Sequence, residues 1–262
     1  MLGFLGIGAQ KAGTTWLYEQ LKHHPQLAFP LGKEAHFWNR PHDAAAVTDY
    51  LNHFADVTLP SLRQRPPLFQ WLARRPSRPA PIDSLTAGEI TPAYGMLPIE
   101  TIREIHAHVP DLRLIYLIRN PIERAWSAAI MALERAEMTI DEASDQWFID
   151  HFYSAGSRRR GNYRTCLQTW RAVFPDEQLL ILRFEQIVAE PESLLNRCFG
   201  HLGVALQTPE QLNQWGCHTP VFIGPGHRLR ATLKPVLQAL YRQPVQELSD
   251  YLVTDLSAWL AD

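Results

Sequence analysis

Eight residues near the amino terminus, Gly8-Ala9-Gln10-Lys11-Ala12-Gly13-Thr14-Thr15, constrain this chain more than any other stretch. They follow a short apolar run over residues 3–8 and precede residues 15–24, where Trp16, Leu17 and Leu21 recur at helical spacing. A buried strand, a glycine-bearing loop and a helix in that order direct backbone N–H groups and the positive end of the helix dipole at one spot, which suits an anion. Lys11 adds a point charge, and Thr14 and Thr15 add hydroxyl donors. Ala12, Gly13 and Trp16, which abuts the loop, complete the candidate binding set.

The same grammar recurs downstream. An apolar run over 112–118 meets Arg119-Asn120-Pro121, after which Ile122, Ala125, Trp126, Ala129, Ile130 and Leu133 keep helical spacing. Asn120 suits an N-cap, Pro121 the first helical position, and Glu123 a capping box. A third unit pairs a strand at 178–184 with a helix at 191–202, preceded by a helix over 163–174. Strands alternating with helices predict an α/β, P-loop-like three-layer fold with a central, mostly parallel sheet flanked by helices. Six prolines within 58–81 predict an irregular excursion, Arg158-Arg159-Arg160-Gly161 reads as a loop, and the chain after Ala231 reads as helix interrupted at Pro235 and Pro244.

Composition narrows the ligand. With 25 Lys+Arg against 27 Asp+Glu in 262 residues, no global basic field exists to bind nucleic acid, so the anion site is local and its ligand small. Three cysteines without a CxxC pair fit neither a disulfide framework nor a zinc ribbon, which predicts a reducing, cytoplasmic compartment. The amino-terminal apolar run is about eight residues and lacks a basic leader, so it is expected to be a strand and no membrane span is expected. No metal site is expected either. His23 and His24 point about 100° apart on a helix, and His106 and His108, two apart, share no helical face.

The loop departs from the magnesium-nucleotide pattern, in which the lysine directly follows the last glycine; here Lys11 precedes Gly13. The later strands at 112–118 and 178–184 do not end in the aspartate that would hold the metal. Instead, Gln10-Lys11-Ala12-Gly13-Thr14-Thr15-Trp16 resembles the 5′-phosphosulfate loop of sulfotransferases that use 3′-phosphoadenosine 5′-phosphosulfate (PAPS). Arg119-Asn120-Pro121 with Ser127 resembles their 3′-phosphate motif. The likeness continues through Glu89-Ile90-Thr91-Pro92-Ala93-Tyr94, Gly161-Asn162-Tyr163 with Trp170, and 191–203, covering about residues 3–205. Independently of the resemblance, Arg119 at a strand end and Ser127 two helical turns on can face one crevice and clamp a phosphate.

Sulfuryl transfer needs in-line geometry, charge neutralisation on the leaving group and a base for the attacking hydroxyl. Lys33-Glu34-Ala35-His36-Phe37-Trp38, after a second strand at 26–29, is similar to the segment of the glycosaminoglycan branch whose glutamate is the general base. By that resemblance Glu34 is the base, His36 its auxiliary, and Lys11 stabilises the leaving oxygen. Two departures, Ile90 in place of a lysine and Thr15 in place of an arginine, remove positive charge near the acceptor. They favour a neutral hydroxyl on a sugar, lipid or acyl-chain alcohol over a heavily sulfated glycan. The resemblance thus implies a PAPS-dependent O-sulfotransferase with the bisphosphate PAP as product, and a chain of this size is expected to form a single sulfotransferase domain over 1–262. Rival readings are a P-loop small-molecule kinase and a non-catalytic nucleotide-binding module of the same fold.

Overall fold

The computed structural model describes residues 1–55, 85–221 and 226–261, so the proline-rich excursion at 58–81 lies outside them. Five strands form one sheet: β1 (Leu2–Gly8), β2 (Leu27–Ala28), β3 (Thr86–Ile90), β4 (Arg113–Ile118) and β5 (Leu179–Arg183). Their order is β2-β3-β1-β4-β5 and every pairing is parallel. The described α-helices are α1 (Thr14–Leu21), α2 (Ala44–Asn52), α3 (Ile99–His108), α4 (Pro121–Arg135), α5 (Asp145–Tyr153) and α6 (Ala155–Gly161). They continue with α7 (Tyr163–Arg171), α8 (Glu185–Ala189), α9 (Pro191–Leu202), α10 (Pro209–Gln214) and α11 (Lys234–Leu252).

A parallel sheet has both faces covered, and β4 shows how its sequence meets that demand. Leu114, Tyr116 and Ile118 point into a core shared with α3, α4, α7 and α11, while Ile115 and Leu117 point into a second core with α1 and α9. All five are buried, so the strand reads as a continuous apolar run rather than an alternation. The predicted three-layer fold is the observed one.

Strand order also locates the site. From β1 the chain crosses to β2 and β3 on one side, and from β4 it moves to β5 on the other. The crevice between the carboxyl ends of β1 and β4 is therefore the topological switch point, where open α/β sheets bind ligands. The Lys11 loop leaves β1 there, and Arg119 follows β4.

Several local expectations are corrected. Arg158–Arg160 lie on a helix, α6, because Ser154 caps it by accepting from the Ser157 N–H and arginine is a good helix former. Helix α11 runs through Pro244: one lost backbone bond and a steric clash, about 3 kcal/mol, are outweighed by burial of Leu237, Tyr241, Val245 and Leu248 at about 1.5–3 kcal/mol each. It stops at Leu252, short of the chain end, with Val253 left-handed. Asn120 does cap α4, accepting from the Ile122 N–H, but Glu123 closes no capping box. It pairs with Arg119 instead, and the Asn120 N–H goes to Glu185. Trp147 and Trp215 are half-buried and pack against the edges of the two cores. No helix among the described residues is long and apolar enough to cross a membrane.

Candidate active site

The loop after β1 is shaped by left-handed backbone at Lys11 (φ 65°) and Gly13 (φ 88°). Glycine is required at 13 twice over, since a Cβ there would come within 2.5 Å of Ile187 and 2.9 Å of Phe184. Gly13 is also the N-cap of α1, and being glycine it offers no side chain to the first turn, which holds no acidic residue. The first intrahelical bond is Leu17 N–H to the Gly13 carbonyl, so the preceding N–H groups of the helix are free for an anion.

Lys11 is half-buried. Burial pushes its ammonium below the ordinary lysine range; Glu134 opposes that shift, and Arg119 and Arg135 add to it. Thr14 is buried and Thr15 half-buried at the head of α1. Ala12 is fully buried with its N–H turned to the Ala9 carbonyl, so it shapes the loop from within. Trp16 faces the core: its indole N–H donates to the Cys217 carbonyl at 3.1 Å, and only 3% of it is exposed. Its ring therefore offers no open face for stacking.

Arg119 joins the two halves of the crevice. Its Nη1 donates to the Lys11 carbonyl at 3.2 Å, its Nε and Nη2 reach Glu123 at 3.1 and 2.9 Å, and its guanidinium lies 4.2 Å over the Phe184 ring. The Arg119 carbonyl accepts from the buried Tyr163 hydroxyl at 2.8 Å. Ser127 is half-buried on α4. Beside it, the Trp126 indole donates to the His227 carbonyl at 2.7 Å, which draws the 226–230 segment alongside this half of the site. Sequence reasoning missed that segment because nothing local in it signals a contact 101 residues away.

The Glu34 segment approaches from the β3 side. The Glu34 N–H bonds the Ile90 carbonyl at 3.0 Å, which anchors the segment to the carboxyl end of the sheet. The Glu34 carboxylate is exposed, in contact with Lys33, and 3.5 Å from His36 Nε2; His36 Nδ1 faces Asn39 Oδ1 at 3.1 Å. His36 thus sits where it can orient Glu34.

Sequence reasoning did not single out Glu89 as a site residue. It is fully buried at the end of β3, and its two oxygens accept from the Tyr50, Tyr94 and Thr91 hydroxyls and the Ala35 N–H, at 2.5, 2.8, 2.8 and 3.2 Å. The available signal was an acid inside an apolar strand, Ala87-Gly88-Glu89-Ile90. Next to it, Ile90 is fully buried beneath β1, packed against Gly6. Position 90 therefore faces the core rather than an acceptor, and the neutral-acceptor argument keeps only Thr15.

Two other features involve residues outside the two phosphate motifs. A cavity of about 340 Å³ opens between α6 and α11, lined by Arg158, Arg159, Leu240, Tyr241 and Pro244 among others. The fold also brings together Glu192, Cys217 and His218, whose ligand atoms lie within 4.8 Å of one another, a grouping that histidine spacing did not foretell.

The model of the sulfotransferase family matches residues 4–208. Carbohydrate sulfotransferase 15 of Mus musculus is 25% identical over 256 residues, covering 79% of this chain and 45% of that protein. Heparan sulfate glucosamine 3-O-sulfotransferase 6 of Mus musculus is 28% identical over 203 residues, covering 76% and 51%. The chain thus spans about half the length of these relatives. Among solved structures, a sulfotransferase from Alicyclobacillus acidocaldarius superposes with a TM-score of 0.66 at 23% identity, covering 100% of this chain and 99% of the other. Mouse sulfotransferase SULT7A1 complexed with PAP gives a TM-score of 0.54 at 15% identity, covering 95% and 89%. At these identities the two structures speak to the fold.

Proposed function

The chain belongs to the sulfotransferase family, and from that premise we propose that it transfers a sulfuryl group from PAPS to an acceptor hydroxyl, with Glu34 as general base. The observation that carries the reading is the bond from Arg119 to the Lys11 carbonyl, which unites the two phosphate motifs at the switch point. The residues fit the donor: uncapped N–H groups of α1 and Lys11 suit its 5′-phosphosulfate, and Arg119 with Ser127 suits its 3′-phosphate. The donor supplies an activated sulfuryl group and a phosphate leaving group.

Within that scheme Lys11 neutralises charge on the leaving oxygen, and Glu34 takes the proton of the attacking hydroxyl as the new S–O bond forms. His36, facing Glu34 and Asn39, orients the base. The acceptor is a sugar, lipid or acyl-chain alcohol, and the carbohydrate acceptors named for the relatives favour a sugar. Three buried free cysteines support a reducing, cytoplasmic setting. The kinase alternative is weakened by Glu89, the carboxylate beside β1, because four donors already occupy its oxygens.

The test pairs two variants. Glu34→Gln keeps the shape but accepts no proton, so turnover is expected to fall about 10²–10⁴-fold with PAP affinity unchanged. Lys11→Ala is expected to weaken both. Full turnover by Glu34→Gln, together with loss in His36→Ala, would transfer the base role to His36.

A further inference from the structure

We propose that Glu89 is a positioning residue for the reaction: from within the core it holds Glu34 and His36 in the one backbone conformation that presents the base. The inference rests on the reading of Glu34 as the base, and goes beyond it by explaining how the segment keeps its form.

Glu34 and His36 both have left-handed backbone, with φ of 63° and 57°. For residues with a side chain this conformation is strained, and it persists only where the surroundings over-determine it. Between the two lies Ala35, and its N–H donates to Glu89 Oε2. The next amide, Phe37, donates to the Tyr94 hydroxyl at 3.0 Å, and that hydroxyl in turn donates to Glu89 Oε1. The His36 N–H points to Thr91 Oγ1 at 3.5 Å, and Thr91 donates to Glu89 Oε2. Each of the amides at 35, 36 and 37 therefore reaches Glu89 directly or through one hydroxyl.

The carboxylate is suited to this by its position and its partners. It projects from β3, a strand flanked by β1 and β2, and so is referenced to the same sheet that carries the Lys11 loop. Tyr50 brings in α2, whose ring stacks on Phe37 with centroids 4.3 Å apart. Burial and the adjacent Glu89 charge push both phenols well above their ordinary range, so they stay protonated donors. A buried anion served by four donors locks four segments to one point: 34–38, α2, β3 and the turn Pro92–Met96.

Glu89→Gln tests this. The Ala35 N–H cannot reverse, so the amide oxygen must face it, leaving the NH₂ group toward two hydroxyls that formerly donated. With saturating PAPS, kcat is expected to fall about 10- to 100-fold, the scale of a misplacement near 1 Å, while the Kd for PAP stays within about twofold. The deciding measurement is the cycle with Glu34→Gln. If Glu89 acts through Glu34, the double variant is no slower than Glu34→Gln alone; multiplying losses overturn the proposal.

A drop in melting temperature with kcat intact per folded molecule also overturns it. Should Glu89→Gln not fold, Tyr94→Phe replaces it in the same cycle, since it removes the Phe37 acceptor while keeping the ring. The two readings fail differently. An active Glu34→Gln sinks the base assignment and this proposal with it, whereas an inactive Glu34→Gln beside a fully active Glu89→Gln sinks the positioning role alone.

Discussion

Replacing Arg119 with alanine separates the proposed grip on the 3′-phosphate from the architectural contacts that the guanidinium makes. It makes one backbone bond to Lys11, a pair with Glu123 and a stack on Phe184. The backbone bond is worth about 1 kcal/mol and the stack about 0.5–1. The Glu123 pair adds little, about 0.3 kcal/mol, because Glu123 is 55% exposed and water screens it. Arg119→Ala should therefore destabilise the protein by about 2 kcal/mol, lowering Tm by about 4–8 °C at this chain length. The effect on ligand is separate. A charged hydrogen bond to phosphate contributes about 1.5–3 kcal/mol, a factor of about 10–150 in affinity. Isothermal titration with PAP and with AMP on both proteins is the assay. Wild type should prefer PAP strongly, and the variant should lose most of that preference while binding AMP nearly as before. Equal affinity of wild type for the two nucleotides would refute the 3′-phosphate assignment. An equal loss for both would mean that Arg119 acts only by shaping the Lys11 loop.

Two further outcomes follow from the same crevice. Because burial lowers the pKa of Lys11, PAP affinity should decline as pH rises through that lowered value, where the cation is lost; Glu134→Gln removes the opposing carboxylate and should move the decline to lower pH in a Kd–pH series. An unmoved profile would place the titration elsewhere. Gly13→Ala should destabilise by about 1–3 kcal/mol, since it combines φ 88° with a 2.5 Å approach to Ile187, and a denaturant titration showing wild-type stability would contradict the packing described.

Local sequence was sufficient where the physics is local. The apolar run of β4 followed by Asn120-Pro121 determines a strand, a cap and a helix through contacts a few residues apart, and the Lys11 loop follows from glycine conformation and helix polarity. Their order along the chain also implied the parallel sheet, since a parallel pair needs a crossover. Arg158–Arg160 misled because charge and flanking glycines resemble a loop, whereas Ser154 and the packing of Gly161 against Tyr241 make a helix.

Tertiary structure alone decided who meets whom. Glu89 and Ala35 are 54 residues apart, and Trp126 and His227 are 101 apart; sheet order and helix packing, rather than any local preference, bring each pair together. The strand alternation that sends Glu89 to one face sends Ile90 to the other, so a position read from sequence as acceptor-facing proved to be core. Residue type declared which groups could do chemistry, while sheet order and helix packing determined which of them meet.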